Sequence, residues 1–173
     1  MIFTSIDFVV FFIFVLGVIA IIKHRKFQHL ILLGGSYFFF YFSSNYLIVL
    51  LIFSTILDFY LAKLIYSTDN IFRKKLFLII SLVGNLGLLG FFKYSDFAIL
   101  QFNILGNYFD LGTNIPFINL ILPLGISFYT FQTISYTIDV YRGTLKPSKT
   151  FSEFALFVAF FPQLVAGPIL RAK

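Results

Sequence analysis

The chain has 173 residues, 60% hydrophobic and 12% charged, with a mean hydropathy of +0.96. Soluble domains contain about 45–50% apolar and about 25% charged residues, and one core of this size could not bury so much apolar surface. The composition therefore excludes a soluble enzyme, a disordered tail and a nucleic-acid-binding module, and it predicts an all-α integral membrane protein. The chain has no Cys, so disulfides, thiolate metal sites and Cys nucleophiles are excluded as well.

The apolar runs predict about five membrane-spanning helices in a single domain, residues 1–173. The first run lies after Asp7 and before a basic block at residues 23–26, the reverse of the charge order in a cleavable signal peptide. The next run is too long for one upright span, and the turn-forming residues 43–45 should divide it. The predicted spans are residues 5–22, 29–42, 46–66, 76–92 and 117–138.

The remaining segments are predicted from their polar, Pro and Gly residues. Residues 95–115 are mixed in polarity and indicate an extramembrane or interfacial segment, and the fifth span should contain Pro123 and Gly125. Residues 151–170 predict a broken, re-entrant helix, because a break at membrane depth is tolerated only against protein or a water-filled cavity. The residues that should break this helix are Pro162, Gly167 and Pro168.

The distribution of basic residues predicts the orientation. If the spans alternate, the loops at residues 23–26, 63–75 and 141–149 share one side and hold ten Lys and Arg, against Lys93 on the other side. Lys and Arg collect in cytoplasmic loops. We therefore expect a multi-pass protein of the inner membrane with its N-terminus outside.

Six polar residues within the apolar elements are candidates for channel or structural roles. Ionisable groups inside a span are functional candidates by default, but Asp58 could equally face the bundle, held by hydrogen bonds or by Lys63. Asn85 should form an interhelical hydrogen bond, and the i,i+3 spacing of two residues at the end of the fifth span predicts an ion pair. The candidates are Asp58, Asn85, Gln132, Asp139, Arg142 and Gln163.

Histidines offer little support for catalysis in this chain. His24 and His29 lie at or beside the first basic block, where an interfacial position is expected, and neither has a carboxylate nearby in sequence to orient it as a base. No group of His, Asp and Glu has the spacing of a metal site. We predict no metal, and we assign no catalytic residue from the pattern.

Four stretches together resemble the membrane-bound O-acyltransferase family, in its bacterial alginate O-acetyltransferase branch. They are residues 85–94 (NLGLLGFFKY), 122–132 (LPLGISFYTFQ), 136–143 (YTIDVYRG) and 160–168 (FFPQLVAGP). The resemblance implies a many-helix bundle that passes an acyl group, expected to be acetyl, from the cytoplasmic side to a hydroxyl on an exported polysaccharide such as alginate. It implies acetyl-CoA or an acyl carrier as donor, no covalently bound cofactor, periplasmic acetyl-transfer proteins as partners beside the lipid bilayer, and no nucleic acid.

The chain departs from this family in one respect. The functional histidine of the family lies in patterns rich in Trp, Arg and His, whereas this chain has no Trp and neither of its histidines matches. The resemblance therefore places the catalytic residue beyond residue 173, makes the chain the N-terminal part of a longer enzyme, and predicts that the chain alone is inactive. Its expected contribution is scaffold and channel wall, from Gln132, Asp139, Arg142 and Gln163 beside the 162–168 bend. A noncatalytic membrane scaffold and part of a transporter stay open as alternatives.

Overall fold

The computed structural model describes residues 6–110 and 112–166, and every regular element among them is helical. Long apolar sequences with few helix breakers form these helices, and the breaks fall at polar or Pro- and Gly-containing segments. The elements are α1 (Ile6–Ile21), α2 (Arg25–Ser44), a 3₁₀ turn (Asn45–Leu47), α3 (Ile48–Ser67), α4 (Ile71–Tyr108), α5 (Ile126–Tyr141), α6 (Phe151–Ala159) and α7 (Phe161–Ala166).

The break predicted at residues 43–45 is present. Helix α2 ends at Ser44, and Asn45 has a φ of 54°, a conformation that Asn adopts more readily than most side chains. Helix α3 begins at Ile48, so the long apolar run becomes two helices joined by a tight turn.

Helix α4 is longer than the sequence predicts. Residues 95–108 continue the helix begun at Ile71, although the sequence pattern places them outside the membrane as an irregular segment. Their polar side chains lie along the helix and bind the returning chain: Asn103 exchanges two hydrogen bonds with the backbone of Ile115, and Asp96 accepts from the N–H of Ile118 at 2.9 Å. The polar residues that suggested a loop thus serve as anchors for the segment that follows.

Helix α5 begins later than the predicted fifth span. Residues 117–122 have no regular structure, and Pro123 and Gly125 precede the helix instead of lying within it. Gly125 has a φ of +68°, which excludes it from a right-handed helix but suits a residue without a Cβ. The Leu124 N–H donates to the hydroxyl of Ser44 at 2.9 Å, which joins this entry to the turn after α2.

The predicted break within residues 151–170 occurs at Phe160. Helix α6 ends at Ala159 and α7 begins at Phe161, immediately before Pro162. Gly167 and Pro168 lie outside the described residues, and a re-entrant path stays a prediction.

Helices α3, α4 and α5 pack against one another, while α6 packs against α2, α3 and α5. Their shared core includes buried Phe40, Leu51, Tyr136 and Phe154. Helix α1 lies on the outside of α2, where several Phe rings, including Phe11, surround Phe161 of α7. Contacts between buried side chains therefore position the helices, rather than the pairing of one apolar face on each helix.

Two of the basic loops meet at one end of this bundle. The first residues of α2 and α6 line a common cavity there, and Phe59 of α3 contacts Phe151 with ring centroids 5.4 Å apart. The turn after α2 and the segment before α5 form a separate contact, in which the Leu124 N–H donates to the Ser44 hydroxyl. The loops at residues 23–26 and 141–149 are therefore neighbours.

Among the residues that the structure describes, two helical stretches are long and apolar enough to cross a membrane: Arg25–Ser67, which includes the turn, and Ile71–Tyr108. Ile6–Ile21 and Phe151–Gln163 are apolar but shorter. An all-helical membrane protein agrees with these lengths, whereas the count of about five spans is not confirmed.

Candidate functional site

Asp58 lies in the middle of α3 and has no exposed surface. Its carboxylate accepts hydrogen bonds from the Ser81 hydroxyl, from Asn85 Nδ2 at 2.7 Å and from the Thr137 hydroxyl at 3.4 Å. The sequence also allowed Lys63 as a basic partner of Asp58. Its Nζ instead lies 4.2 Å from the centroid of the Phe59 ring. The carboxyl group of Asp58 is therefore held by hydrogen bonds from two neighbouring helices.

Asn85 connects this carboxylate to a second set of hydroxyls. Its Oδ1 accepts from Ser54 of α3 and, at 3.4 Å, from Thr133 of α5, while its Nδ2 also donates to the carbonyl of Ser81 at 3.0 Å. The amide thus bonds all three helices, as expected for a lone amide in a membrane helix.

Each of the three helices supplies two polar side chains spaced four residues apart. This spacing places both on one helix face, so three faces meet in one buried network. All six side chains are at most 1% exposed, and their donors and acceptors bond to each other. This arrangement fixes helix register and leaves no surface for a substrate. We call it the polar network: Ser54, Asp58, Ser81, Asn85, Thr133 and Thr137.

Sequence reasoning identified Asp58 and Asn85 and missed the other members. Single Ser and Thr residues are common in membrane helices and carry no distinctive signal alone. The i,i+4 repetition on three separate apolar helices is the signal that could have identified the whole set.

A second polar arrangement holds the break between α6 and α7. In a continuous helix the N–H of Phe161 would donate to the carbonyl of Phe157. Instead, this N–H donates to the Ser36 hydroxyl of α2 at 3.3 Å, and the Phe157 carbonyl accepts from Gln132 Nε2 of α5 at 2.8 Å. Ser36 in turn donates to the carbonyl of Leu32 at 2.7 Å.

These bonds explain how the helix breaks at this depth. Two of the backbone groups released by the break are satisfied by side chains of two other helices, as a break at membrane depth requires. We call Ser36, Gln132, Phe157 and Phe161 the break clamp.

The break clamp differs from the polar network because it leaves polar atoms without partners. Within the described residues, Gln132 Oε1 and the Tyr129 hydroxyl are buried and form no hydrogen bond. Gln163, on the other side of the break, is 9% exposed, and its backbone N–H donates to the Phe160 carbonyl at 3.0 Å. Gln132 and Gln163 therefore flank the break, and the buried Oε1 of Gln132 remains available beside it.

The ion pair expected between Asp139 and Arg142 is absent from the described part of the chain. Helix α5 ends at Tyr141, and the chain turns at Gly143, whose φ is +73°. It is the backbone carbonyl of Asp139 that holds this turn, by accepting from the N–H and hydroxyl of Thr144 at 3.0 and 2.9 Å. Arg142 is left exposed at the helix end.

Both histidines lie at the end of the bundle that carries the basic loops. His24 is exposed, immediately before α2, with its ring centroid 5.6 Å from that of Phe27. His29 is half-buried one turn into α2. Among the residues described, no group of three His, Asp or Glu side chains could hold a metal ion.

Comparison with known proteins identifies relatives among bacterial O-acetyltransferases. A protein of Pseudomonas aeruginosa named "Probable alginate O-acetylase" is 47% identical over 98 residues, which cover 56% of this chain and 18% of that protein. The peptidoglycan O-acetyltransferase of Helicobacter pylori is 36% identical and covers 68% of this chain and 26% of its own length. The resemblance drawn from the four motifs is therefore confirmed.

The chain spans about a quarter or less of the length of these curated relatives. No protein-family model matches the chain, and no solved structure matches it significantly.

Proposed function

We propose that this chain forms part of a membrane-bound O-acetyltransferase, which transfers an acetyl group to a hydroxyl of an exported polysaccharide. The observation that carries the proposal is its identity with proteins named alginate O-acetylase and peptidoglycan O-acetyltransferase, at 47% and 36%. The donor would be acetyl-CoA or an acyl carrier on the cytoplasmic side, and periplasmic acetyl-transfer proteins would be partners.

Within such an enzyme, residues 1–173 would supply the scaffold and one wall of the acetyl path. The polar network suits the scaffold because it joins α3, α4 and α5 through saturated hydrogen bonds. The break clamp suits the wall because it holds an interrupted helix and keeps the buried Oε1 of Gln132 without a hydrogen-bond partner in the described residues.

The base that takes the acceptor proton would be supplied from outside this stretch. General-base catalysis requires a side chain within hydrogen-bond reach of that proton. His24 and His29 both lie among the basic residues at one end of the bundle, far from an acceptor that arrives at the opposite membrane face. Purified residues 1–173 should therefore show no transfer from a labelled acetyl donor, and turnover that His24→Ala or His29→Ala abolishes would contradict this assignment.

The activity is tested by expressing the complete reading frame that contains these residues in its host and in a deletion strain. We expect ester-linked acetyl groups, released by mild base from the exported polysaccharide or from peptidoglycan, to disappear on deletion and to return on complementation. Unchanged acetyl content in both polymers would contradict the proposal. The polymer that loses acetyl identifies the acceptor.

The proposed orientation places the basic end in the cytoplasm of a cell with an inner membrane. Two of the three basic loops already share that end, and ten basic residues lie in those three loops. Because the chain has no Cys, Asp69→Cys and Asn114→Cys provide single labels on the two predicted sides. An impermeant maleimide should label position 114 in intact cells and position 69 only after permeabilisation, and the opposite pattern would reverse the orientation.

A further inference from the structure

A cavity of about 390 Å³ lies between the beginnings of α2 and α6. Arg25, Lys26 and His29 line it from α2, and Thr150, Ser152 and Glu153 line it from α6. Neither the polar network nor the break clamp includes any of these residues. The cavity is small by comparison with ligand sites in general, which span about 300–1,000 Å³, so it suits a compact polar group.

The cationic side chains of this cavity are not neutralised within the described residues. Neither Arg25 nor Lys26 forms an ion pair there. Glu153, the one acidic residue of the lining, accepts a hydrogen bond from the Thr150 N–H at 3.3 Å as half of a capping box. The cavity therefore carries more positive than negative charge, and its carboxylate is already in use.

His29 supplies an independent indication of a ligand. Its Nε2 is buried and has no hydrogen-bond partner in the part of the chain that is described. A buried nitrogen without a partner costs free energy unless something binds it. The imidazole lies in the cavity wall beside the two cations.

The beginning of α6 adds further donors. The Thr150 side chain caps the helix at Glu153, whereas the first backbone N–H groups of a helix have no partner within it. The positive end of the helix dipole also favours an anion. The hydroxyls of Thr150 and Ser152 also line the cavity; their oxygens lie 3.3 Å apart, so one hydroxyl donates to the other and the second keeps its proton for a ligand.

We propose that this cavity binds a phosphate-bearing group, a phosphomonoester or pyrophosphate, through Arg25, Lys26 and His29. The proposal does not depend on acetyl transfer. The phosphate can belong to a soluble molecule or to the headgroup of a lipid, because the cavity opens where the basic loops meet.

The test is a calorimetric titration of inorganic pyrophosphate into the full chain, held in nanodiscs of phosphatidylcholine. We expect saturable binding that weakens roughly tenfold or more in Arg25→Gln/Lys26→Gln, because each tenfold step requires only about 1.4 kcal/mol and bonds to charged groups exceed this value. Arg73→Gln/Lys75→Gln is the matched control, since it removes two exposed cations outside the cavity; its affinity should stay within roughly twofold of the parent. Equal losses in both double variants would overturn the proposal, because binding would then reflect general surface charge.

A second variant separates the cavity from its charge. Ser152→Phe fills the space without changing any cation, and it should abolish binding while the protein elutes as the parent does on size exclusion. Retained binding in this variant would contradict the site. The source of the phosphate is distinguished by adding phosphatidic acid to the nanodiscs: competition with pyrophosphate assigns the site to a lipid headgroup, and its absence assigns it to a soluble molecule.

Discussion

The polar network and the break clamp both place polar side chains deep in an apolar bundle, but only the network is saturated. Asp58 and Asn85 accept hydrogen bonds from hydroxyls that are themselves buried, and Asn85 Nδ2 donates to Asp58. The clamp satisfies two backbone groups of an interrupted helix and leaves Gln132 Oε1 without a hydrogen-bond partner in the described residues. Buried polar groups without partners are costly, so this difference supports the roles proposed above, scaffold for the network and channel wall for the clamp.

The largest effect should come from removing the acceptor at the centre of the network. Asp58→Leu leaves the donors of Ser81, Asn85 and Thr137 without a partner, and we expect it to cost about 2–4 kcal/mol of stability. Asp58→Asn keeps one acceptor oxygen and should cost about 1 kcal/mol. Thermal unfolding in detergent measures both variants.

Ile56→Leu, an exposed change in the same helix, serves as the control for Asp58. If Asp58→Leu unfolds at the same temperature as this control, the network does not hold the three helices together.

A smaller effect is expected at the clamp. Ser36→Ala removes the acceptor of the Phe161 N–H and should destabilise the protein by about 1 kcal/mol. Ser135→Ala is the matched control, since its hydroxyl donates to the carbonyl of Gln132 in its own helix at 2.8 Å and accepts from no backbone N–H. Equal unfolding temperatures for the two variants would show that Ser36 does not support the break.

Features fixed by local chemistry were predictable from the sequence. The turn at residues 43–45 and the break near Pro162 follow from backbone preferences of Asn and Pro, which neighbouring helices change little. The burial of Asp58 was predictable too, because exposing a carboxylate to lipid is costly.

Features decided by tertiary contacts were not predictable. Asp96 and Asn103 indicate a loop by composition, yet they lie on α4 and bind the segment after it. The spacing of Asp139 and Arg142 permits an ion pair, but Arg142 lies exposed just after the end of α5, where the chain turns at Gly143. Gln132 was a candidate wall residue, whereas its bond to Phe157 depends on the arrangement of two helices distant in sequence.

The comparison of the two regions is tested most directly by Gln132→Leu and Thr133→Val, neighbouring substitutions in α5. In the complete enzyme, acetyl transfer per folded molecule and the unfolding temperature would be measured for both. Our account predicts that Gln132→Leu loses at least about tenfold in transfer, an effect of roughly 1.4 kcal/mol on the barrier, and lowers the unfolding temperature about as much as Ser36→Ala does, because each removes one bond of the break clamp. Thr133→Val should lower the unfolding temperature and keep its transfer rate. Full transfer by Gln132→Leu, together with loss of transfer by folded Thr133→Val, would contradict the assignment of function to the clamp and of scaffold to the network.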